Sequence, residues 1–308
     1  MGTSIYTERD SNIRKTWLLF GSFFIAVILI GWVFSQVYGN PGILIFAVVF
    51  SSITSFFSYW YSDKLVLAMT GAKPVTMEVA PELYRIVENL AITAGLPTPK
   101  IYIISEKAPN AFATGRNPEH AVVVVTQGLL ERLNKPELEG VLAHELSHIG
   151  NRDMLISTAA VVLVGFISLL ADMFNRSVFW GGMRRRDNRG QAGAIIFIVA
   201  IALSILAPIA ATLLRLAISR KREFLADASG ALLTRYPDGL AKALEKISSD
   251  PTPLRAATNT TAHLWVDDPF DNPNEHTEKK KATPWFHKLF MTHPPIKERI
   301  AALKGMKI

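Results

Sequence analysis

The chain has no cysteine in 308 residues and only seven histidines. Without cysteine there is no disulfide framework, and a bound metal ion can be held only by His, Asp or Glu side chains. Disulfide-stapled domains and thiolate zinc sites are therefore excluded. Because histidine is scarce, two histidines close together in the sequence are informative.

Charged residues are also few, at 19%, whereas 49% of the residues are hydrophobic. A soluble domain usually has about 25% charged residues. The apolar residues are concentrated in four runs, and roughly 20 such residues span a bilayer. The sequence therefore predicts an α-rich integral membrane protein with about four transmembrane helices, at positions 17–37, 43–60, 155–170 (extending toward 174) and 192–216.

The first two runs are separated by a short turn at 38–41 and predict a helical hairpin. Arg14 and Lys15 precede the first run, as they would in a signal peptide, but the run is too long and lacks a small-residue cleavage pattern. Basic residues at this end favour a cytoplasmic N-terminus, which places both polar segments of the chain in the cytoplasm. The net charge of +7 suits contact with anionic lipid, and nothing indicates nucleic acid binding.

The connection between the third and fourth runs opposes this topology. It is rich in arginine, and the topology places it outside, against the positive-inside tendency. Either these two runs form a hairpin that does not cross the membrane fully, or the first hairpin determines the orientation. The residues concerned are Arg176, Arg184, Arg185, Arg186 and Arg189.

The two polar segments predict one mixed α+β domain that is assembled from separate parts of the chain. Apolar residues recur with helical spacing from 81 to 95, and two β-branched runs, at 101–104 and 121–126, predict a small, partly antiparallel sheet. Positions 258–283 lack periodicity and predict an exposed loop with partial disorder. The predicted organisation is a basic segment and hairpin at 1–62, domain parts at 63–153 and 217–308, and the third and fourth spans at 154–216.

His144 and His148 stand four residues apart with Glu145 between them, a spacing that places both imidazoles on one face of a helix. Asn134 and Glu137 have the spacing of a capping box, so the helix is expected to begin there. Carboxylates inside this helix place it outside the bilayer, although the third apolar run follows closely. The pattern predicts a zinc hydrolase site at the membrane surface.

Two histidines leave a catalytic zinc ion one protein ligand short. The other histidines and many carboxylates are candidates, and spacing alone does not decide among them. Glu223 stands out because Asp227 follows four residues later on a predicted helix, so that one carboxylate could bind the ion while the other accepts a ligand's ring N–H. The alternative is a surface carboxylate paired with Arg220 or Arg222.

Four separated motifs occur in the order in which the M48 family of membrane metalloproteases has them. The chain resembles this family over nearly its whole length, with no departure at the matched positions. The motifs are PNAFA at 109–113, HELSH at 144–148, SRKREFLAD at 219–227 and THPP at 292–295.

The resemblance implies a zincin-like (gluzincin) protease domain with one zinc ion per chain, held by His144, His148 and Glu223. It implies that Glu145 is the catalytic carboxylate and that Asp227 supports a ligating histidine.

The resemblance also implies that Asn110 and Ala111 lie beside the active-site cleft, where an edge strand would pair with an extended substrate. A turn-forming asparagine before a short strand is an equally good interpretation. His293 would lie near the site as a hydrogen-bond donor to the tetrahedral intermediate, but a structural role before two prolines is the better interpretation.

The motif and the topology predict a membrane zinc endopeptidase with its site facing the cytoplasm, and the resemblance implies that it belongs to the bacterial cytoplasmic membrane and cleaves damaged or misfolded membrane proteins under stress. Its partners would be protein substrates and the bilayer, and the sequence does not determine an oligomeric state. Two alternatives stay open: a processing protease for defined substrates, such as lipidated peptides, and a non-catalytic scaffold that zinc stabilises. The presence of Glu145 favours catalysis, because a structural zinc site needs no base.

Overall fold

The computed structural model describes residues 5–165, 167, 220–258, 260–267, 269 and 294–306. Within these ranges the helices are α1 (Ile5–Tyr38), α2 (Gly42–Thr70), α3 (Pro81–Ala94), α4 (Gln127–Arg132), α5 (Lys135–Gly150), α6 (Asp153–Gly165), α7 (Arg220–Thr234), α8 (Pro237–Ser249) and α9 (Ile296–Lys304). The strands are β1 (Lys73–Pro74), β2 (Lys100–Ile104), β3 (Ala111–Thr114) and β4 (Val122–Thr126). The predicted fourth span, its arginine-rich connection and His293 lie outside the described residues.

Helices α1 and α2 form the predicted hairpin and are long and apolar enough to cross a membrane, over Asp10–Gln36 and Gly42–Thr70. Their surfaces reverse the pattern of a soluble helix. Large apolar side chains such as Phe46 are exposed, whereas small polar ones such as Ser58 are buried. Small residues at helix contacts and apolar residues facing outward are the arrangement that a lipid environment favours.

The turn of this hairpin is where the sequence predicts it, but the helices extend beyond the apolar runs. α1 begins at Ile5, and α2 continues through position 62 to Thr70, where Gly71 adopts the left-handed conformation with φ 66°. Polar residues do not by themselves end a helix, which continues until a capping residue appears. The predicted domain boundary at position 62 therefore lies inside α2 and not at the end of a helix.

The sheet has the strand order β1-β2-β4-β3. β2 and β4 are parallel, and the two outer pairs are antiparallel. The two predicted strands correspond to β2 and β4, and the partly antiparallel character is confirmed. β4 lies inside the sheet and all of its residues are buried, whereas β3 is an edge strand by its place at the end of the strand order.

Helix α5, which carries the two histidines, lies at the centre of the mixed α+β domain and packs against α3, α7, α8 and β3. It begins as predicted, with the capping box of Asn134 and Glu137. Nearly all of its residues from 137 onward are buried. A short turn follows, in which Arg152 has a φ of 57°, and α6 then starts at Asp153. The helix that carries the histidines therefore ends at Gly150, and a separate helix contains the start of the third apolar run.

The prediction of an exposed loop at 258–283 is wrong for residues 260–267, which the structure describes. This segment contains a short 3₁₀ helix, Ala262–Leu264, and it is buried, with Trp265 wholly inaccessible to solvent. The Trp265 ring packs edge-on against Phe112 of β3, with centroids 4.8 Å apart. Burial of this large aromatic ring holds the segment in place, and periodicity does not detect such a short element.

Candidate metal centre

The structure brings together three of the predicted site residues, two from α5 and one from α7. The Nε2 atoms of His144 and His148 lie 3.1 Å apart. Oε2 of Glu223 lies 3.7 Å from the His144 Nε2, and its Oε1 lies 3.6 Å from the His148 Nε2. These groups are well placed to ligate a single ion. The alternative of an exposed Glu223 paired only with neighbouring arginines does not describe this geometry.

Helix α7 can approach α5 this closely because of a glycine. Glu223, Asp227 and Gly230 are spaced by four and three residues and lie on one face of the helix. A Cβ atom at Gly230 would lie 2.9 Å from the backbone nitrogen of His144, so any side chain there would push the helices apart. The glycine thus lets the two carboxylates face the histidines.

His144 is supported by Asp227, whose Oδ1 lies 2.9 Å from the ring Nδ1. Asp227 in turn receives two hydrogen bonds from the buried Arg299 of α9, from Nε at 2.8 Å and from Nη2 at 2.7 Å. Burial alone would raise the pKa of Asp227, but the charge and hydrogen bonds of Arg299 and the hydrogen bond of His144 outweigh it and lower the pKa to about 2. Asp227 is therefore a carboxylate at neutral pH.

His148 has a different support, Asp153 at the start of α6. The Oδ2 atom of Asp153 lies 3.1 Å from the His148 Nδ1. Its Oδ1 accepts a hydrogen bond from the side-chain amide of Asn12, and the Arg222 Nε lies 3.5 Å away. Burial lowers the pKa of His148, but the hydrogen bond to Asp153 and the charges of Glu223, Asp153 and Glu145 outweigh it and raise the pKa to about 9. The surroundings thus favour a positive charge at this point.

These contacts fit a zinc ion. Both histidine Nδ1 atoms lie close to a carboxylate oxygen, at 2.9 Å from Asp227 and 3.1 Å from Asp153. In neutral rings protonated at Nδ1, the two Nε2 lone pairs and the Glu223 carboxylate can then bind one cation. The charge of Arg299 also faces these donors, with Nη2 3.4 Å from the His144 Nε2 and Nη1 3.7 Å from the Glu223 Oε2. Zinc–nitrogen and zinc–oxygen bonds of about 2.0–2.2 Å in a tetrahedron separate the ligand atoms by about 3.4 Å, and the separations here are 3.1–3.7 Å.

Glu145 lines the same cleft but is not one of the three clustered donors. It is 2% exposed. Burial is the main reason why the pKa of Glu145 is raised, with the charge of Glu223 adding to it, while the nearby histidines and Arg299 oppose the shift. A carboxyl group whose pKa moves toward neutrality is suited to accepting and returning a proton.

Asn110 and Ala111 lie at the start of the edge strand β3, and both are hydrogen-bonded to the buried segment at 260–267. Val266 N–H donates to the Ala111 carbonyl at 3.0 Å. The Asn110 amide donates to the Asp267 carbonyl at 3.1 Å, while the Asp267 N–H approaches the Asn110 Oδ1 at 3.4 Å. The groups that were expected to face a substrate backbone therefore bind another part of the same chain.

Sequence reasoning missed three residues that support the two histidines, directly or through a carboxylate: Asn12, Asp153 and Arg299. Asp153 follows His148 by five residues, and this short distance was a usable signal. Nothing in the sequence alone connects Asn12 or Arg299 with the histidines. Asn12 is 139 positions from Asn151, and Arg299 is 155 positions from His144.

Comparison with known proteins agrees with this geometry. The sequence profile described as peptidase family M48 matches residues 78–307. The protease HtpX homolog of Caldanaerobacter subterraneus subsp. tengcongensis is 44% identical over 309 residues, covering 99% of each chain. That of Dictyoglomus turgidum is 45% identical over 308 residues, covering 98% of this chain and 95% of the relative.

Among solved structures, the crystal structure of S. mikatae Ste24p aligns with 91% of this chain at a TM-score of 0.46 and 21% identity. The alignment spans 66% of that protein, slightly less than two thirds of its length. The family match and the two relatives show the family without this structure. The chain therefore belongs to peptidase family M48, as a membrane metalloprotease similar over its whole length to the proteins named protease HtpX homolog.

Proposed function

We propose that the chain is a zinc-dependent endopeptidase that cleaves damaged or misfolded membrane proteins. The observation that carries the proposal is the cluster of three ligand atoms from His144, His148 and Glu223, with the buried Glu145 in the same cleft. Three protein ligands leave a fourth position open, which is typical of catalytic zinc sites.

In this proposal the two histidines and Glu223 hold the ion, while Asp227 and Asp153 fix the orientation of the histidine rings. Zinc at this site would supply a Lewis acid for the scissile carbonyl and would lower the pKa of a bound water toward about 7. Arg299 keeps Asp227 ionised and in place, since it donates two hydrogen bonds to it. The ligands are thus held by side chains that are themselves fixed.

Glu145 acts as the general base and then as the general acid. Its carboxylate takes up a proton from the attacking water and passes the proton to the nitrogen of the leaving amine. The raised pKa of Glu145, caused mainly by its burial, makes the carboxylate a stronger base than an exposed glutamate and so favours its uptake of this proton.

An extended substrate would pair with the edge strand β3, in the place now taken by 260–267. The Ala111 carbonyl and the Asn110 side chain would then bind substrate backbone in place of Val266 and Asp267. The cleft leaves a cavity of about 30 Å³, which is room for roughly one or two waters. The segment must therefore move before a peptide can reach Glu145.

The membrane location supports the choice of substrate. The hairpin of α1 and α2 exposes large apolar side chains, and α6, which begins beside His148, packs against α1 in a shared apolar cluster. The site would therefore lie next to the bilayer surface, on the cytoplasmic side if the basic N-terminal end stays inside. Damaged membrane proteins would reach it without leaving the bilayer.

The first test replaces Glu145 by Gln in the full chain, purified in detergent with zinc and given an unfolded protein as substrate. The change keeps the size of the side chain but removes the base, so cleavage should fall by at least about 100-fold while zinc content stays at one per chain. Glu139→Gln is the matched control, because Glu139 lies on the same helix and outside the cleft.

Persistent cleavage by Glu145→Gln would rule out the proposed base. If neither the wild type nor Glu139→Gln cleaves any substrate although zinc is bound, the non-catalytic scaffold becomes the better account. A panel of unfolded membrane proteins separates the other alternative: cleavage of one defined, lipidated peptide and of nothing else would identify a processing protease.

A further inference from the structure

The first membrane helix contributes a buried polar side chain to the metal centre. Asn12 of α1 is 1% exposed and lies at the start of the apolar part of the helix. Burial of an amide costs free energy unless it is hydrogen-bonded. Its Nδ2 donates to the backbone carbonyl of Asn151 at 3.1 Å and to Oδ1 of Asp153 at 2.5 Å.

Both acceptors belong to the turn that directly follows the metal helix. Arg152, between them, has a φ of 57°, a conformation that residues other than glycine adopt rarely. The turn thereby presents the Asn151 carbonyl and the Asp153 carboxylate to the same amide. Such a conformation persists only where its surroundings hold it, and Asn12 holds it from the membrane side.

The same carboxylate faces the metal ligand. While Oδ1 of Asp153 accepts from Asn12, its Oδ2 lies 3.1 Å from Nδ1 of His148. The Arg222 side chain, next to Glu223 on α7, lies 3.5 Å from the Oδ1 atom. Asp153 is therefore held between α1 and α7, and its position determines where the ring of His148 points.

We infer that Asn12 is a positioning residue for His148, acting through Asp153, so that the seating of the first membrane helix helps to set the affinity of the site for zinc. The inference rests on the proposed metal ligands. It concerns a residue outside the matched family region, which begins at residue 78. α1 is thus part of the metal centre and not only an anchor.

The test measures zinc affinity by competition with a chelator, in the full chain in detergent, and the visible absorption spectrum of the cobalt-substituted protein. Asn12→Leu keeps most of the volume but removes the donor. Loss of the direct partner of a metal-ligating histidine typically costs 10–100-fold in affinity. One step further away, we expect zinc affinity to fall about 3- to 10-fold, with a changed cobalt spectrum.

Thr16→Val is the matched control, because Thr16 is buried one turn along α1 and donates to the Asn12 carbonyl within the helix. It should leave the zinc affinity within about twofold of wild type and the cobalt spectrum unchanged. A purely structural role of Asn12 would lower the thermal stability of Asn12→Leu without changing the cobalt spectrum. That outcome would overturn the inference.

A double-mutant cycle tests whether Asn12 acts through Asp153. In an Asp153→Asn background, Asn12→Leu should weaken zinc binding by less than about twofold, since the carboxylate that it positions is gone. Equal weakening in both backgrounds would show another route and overturn the inference. If Asn12→Leu does not fold, Asn12→Ser decides by the same measurements, because its side chain is too short to bridge both acceptors.

Failure of the proposed ligands is distinguishable from failure of this inference. If His148→Ala binds zinc as tightly as wild type, the ligand set itself is wrong. If His148→Ala loses zinc but Asn12→Leu and Asn12→Ser bind it like wild type, only the role of Asn12 is wrong.

Discussion

The two histidines of the metal centre are one helical turn apart, yet their supports come from different parts of the molecule. His144 is backed by Asp227 and Arg299, which belong to the C-terminal helices α7 and α9. His148 is backed by Asp153 and Asn12, which belong to the two helices α6 and α1 that pack together in an apolar cluster. One histidine is held by the C-terminal helices and the other by the two apolar helices α6 and α1.

The chemistry of the two supports differs as well. Asp227 meets a fully buried guanidinium in two hydrogen bonds, a geometry that fixes both charge and direction. Asp153 meets a neutral amide and a more distant arginine. The support of His144 should therefore be rigid and costly to break, whereas that of His148 should be easier to modulate. The predictions below test this difference.

Removal of Glu223 should have the largest effect. Its carboxylate lies close to both histidines, so its loss should affect both sides of the site. In Glu223→Ala we expect zinc affinity to fall by more than the 10–100-fold that loss of a supporting partner costs. Competition with a chelator and metal analysis measure this. Zinc content equal to wild type after dialysis against chelator would place the third ligand elsewhere.

Arg299→Met should have the next largest effect and should act on the His144 side. It leaves the Asp227 carboxylate buried without its cation, and breaking a buried ion pair costs about 3–5 kcal/mol. Calorimetry of the detergent-solubilised chain should show a clearly lower Tm. Lys304→Met is the control, because its pair with Glu245 is exposed and should change the Tm little. Equal shifts in the two variants would contradict a special role of Arg299.

A smaller effect is expected in the acid stability of the zinc-depleted protein. Because the pKa of Asp227 is lowered to about 2, the ionised carboxylate stabilises the fold at neutral pH, and this stabilisation is lost as the pH falls from about 4 toward 2. The pKa difference corresponds to about 2 kcal/mol. Asp227→Asn should remove this part of the pH dependence of the Tm. An unchanged slope between pH 5 and 2.5 in the variant would show that Asp227 is not the group concerned.

Much of the fold was predictable where local signals are strong. The hairpin turn, the helix ending at Gly95, strands β2 and β4, and the capped start of α5 all follow from periodicity or from capping residues. The extension of α2 to Thr70 was not predictable, because a helix can continue beyond the end of the apolar run that it contains. The edge strand β3 was indicated only through the family resemblance.

The buried segment at 260–267 shows a different limit of sequence reasoning. The region 258–283 lacks periodicity, yet within it Trp265 and Val266 are buried against β3. What makes it ordered is contact with Phe112 and Ala111, which are about 150 positions earlier. Contacts over such distances leave no periodic pattern in either segment.

The sequence by itself determined the chemistry of the site: the spacing of His144, Glu145 and His148 on a helix, and the pairing of Glu223 with Asp227 one turn apart. These relations are local, so helix geometry alone converts them into a three-dimensional arrangement. Only the tertiary structure decided which groups orient the ligands. Asn12 and Arg299 reach Asp153 and Asp227 because whole helices pack around α5, and such packing depends on shape and burial summed over many residues.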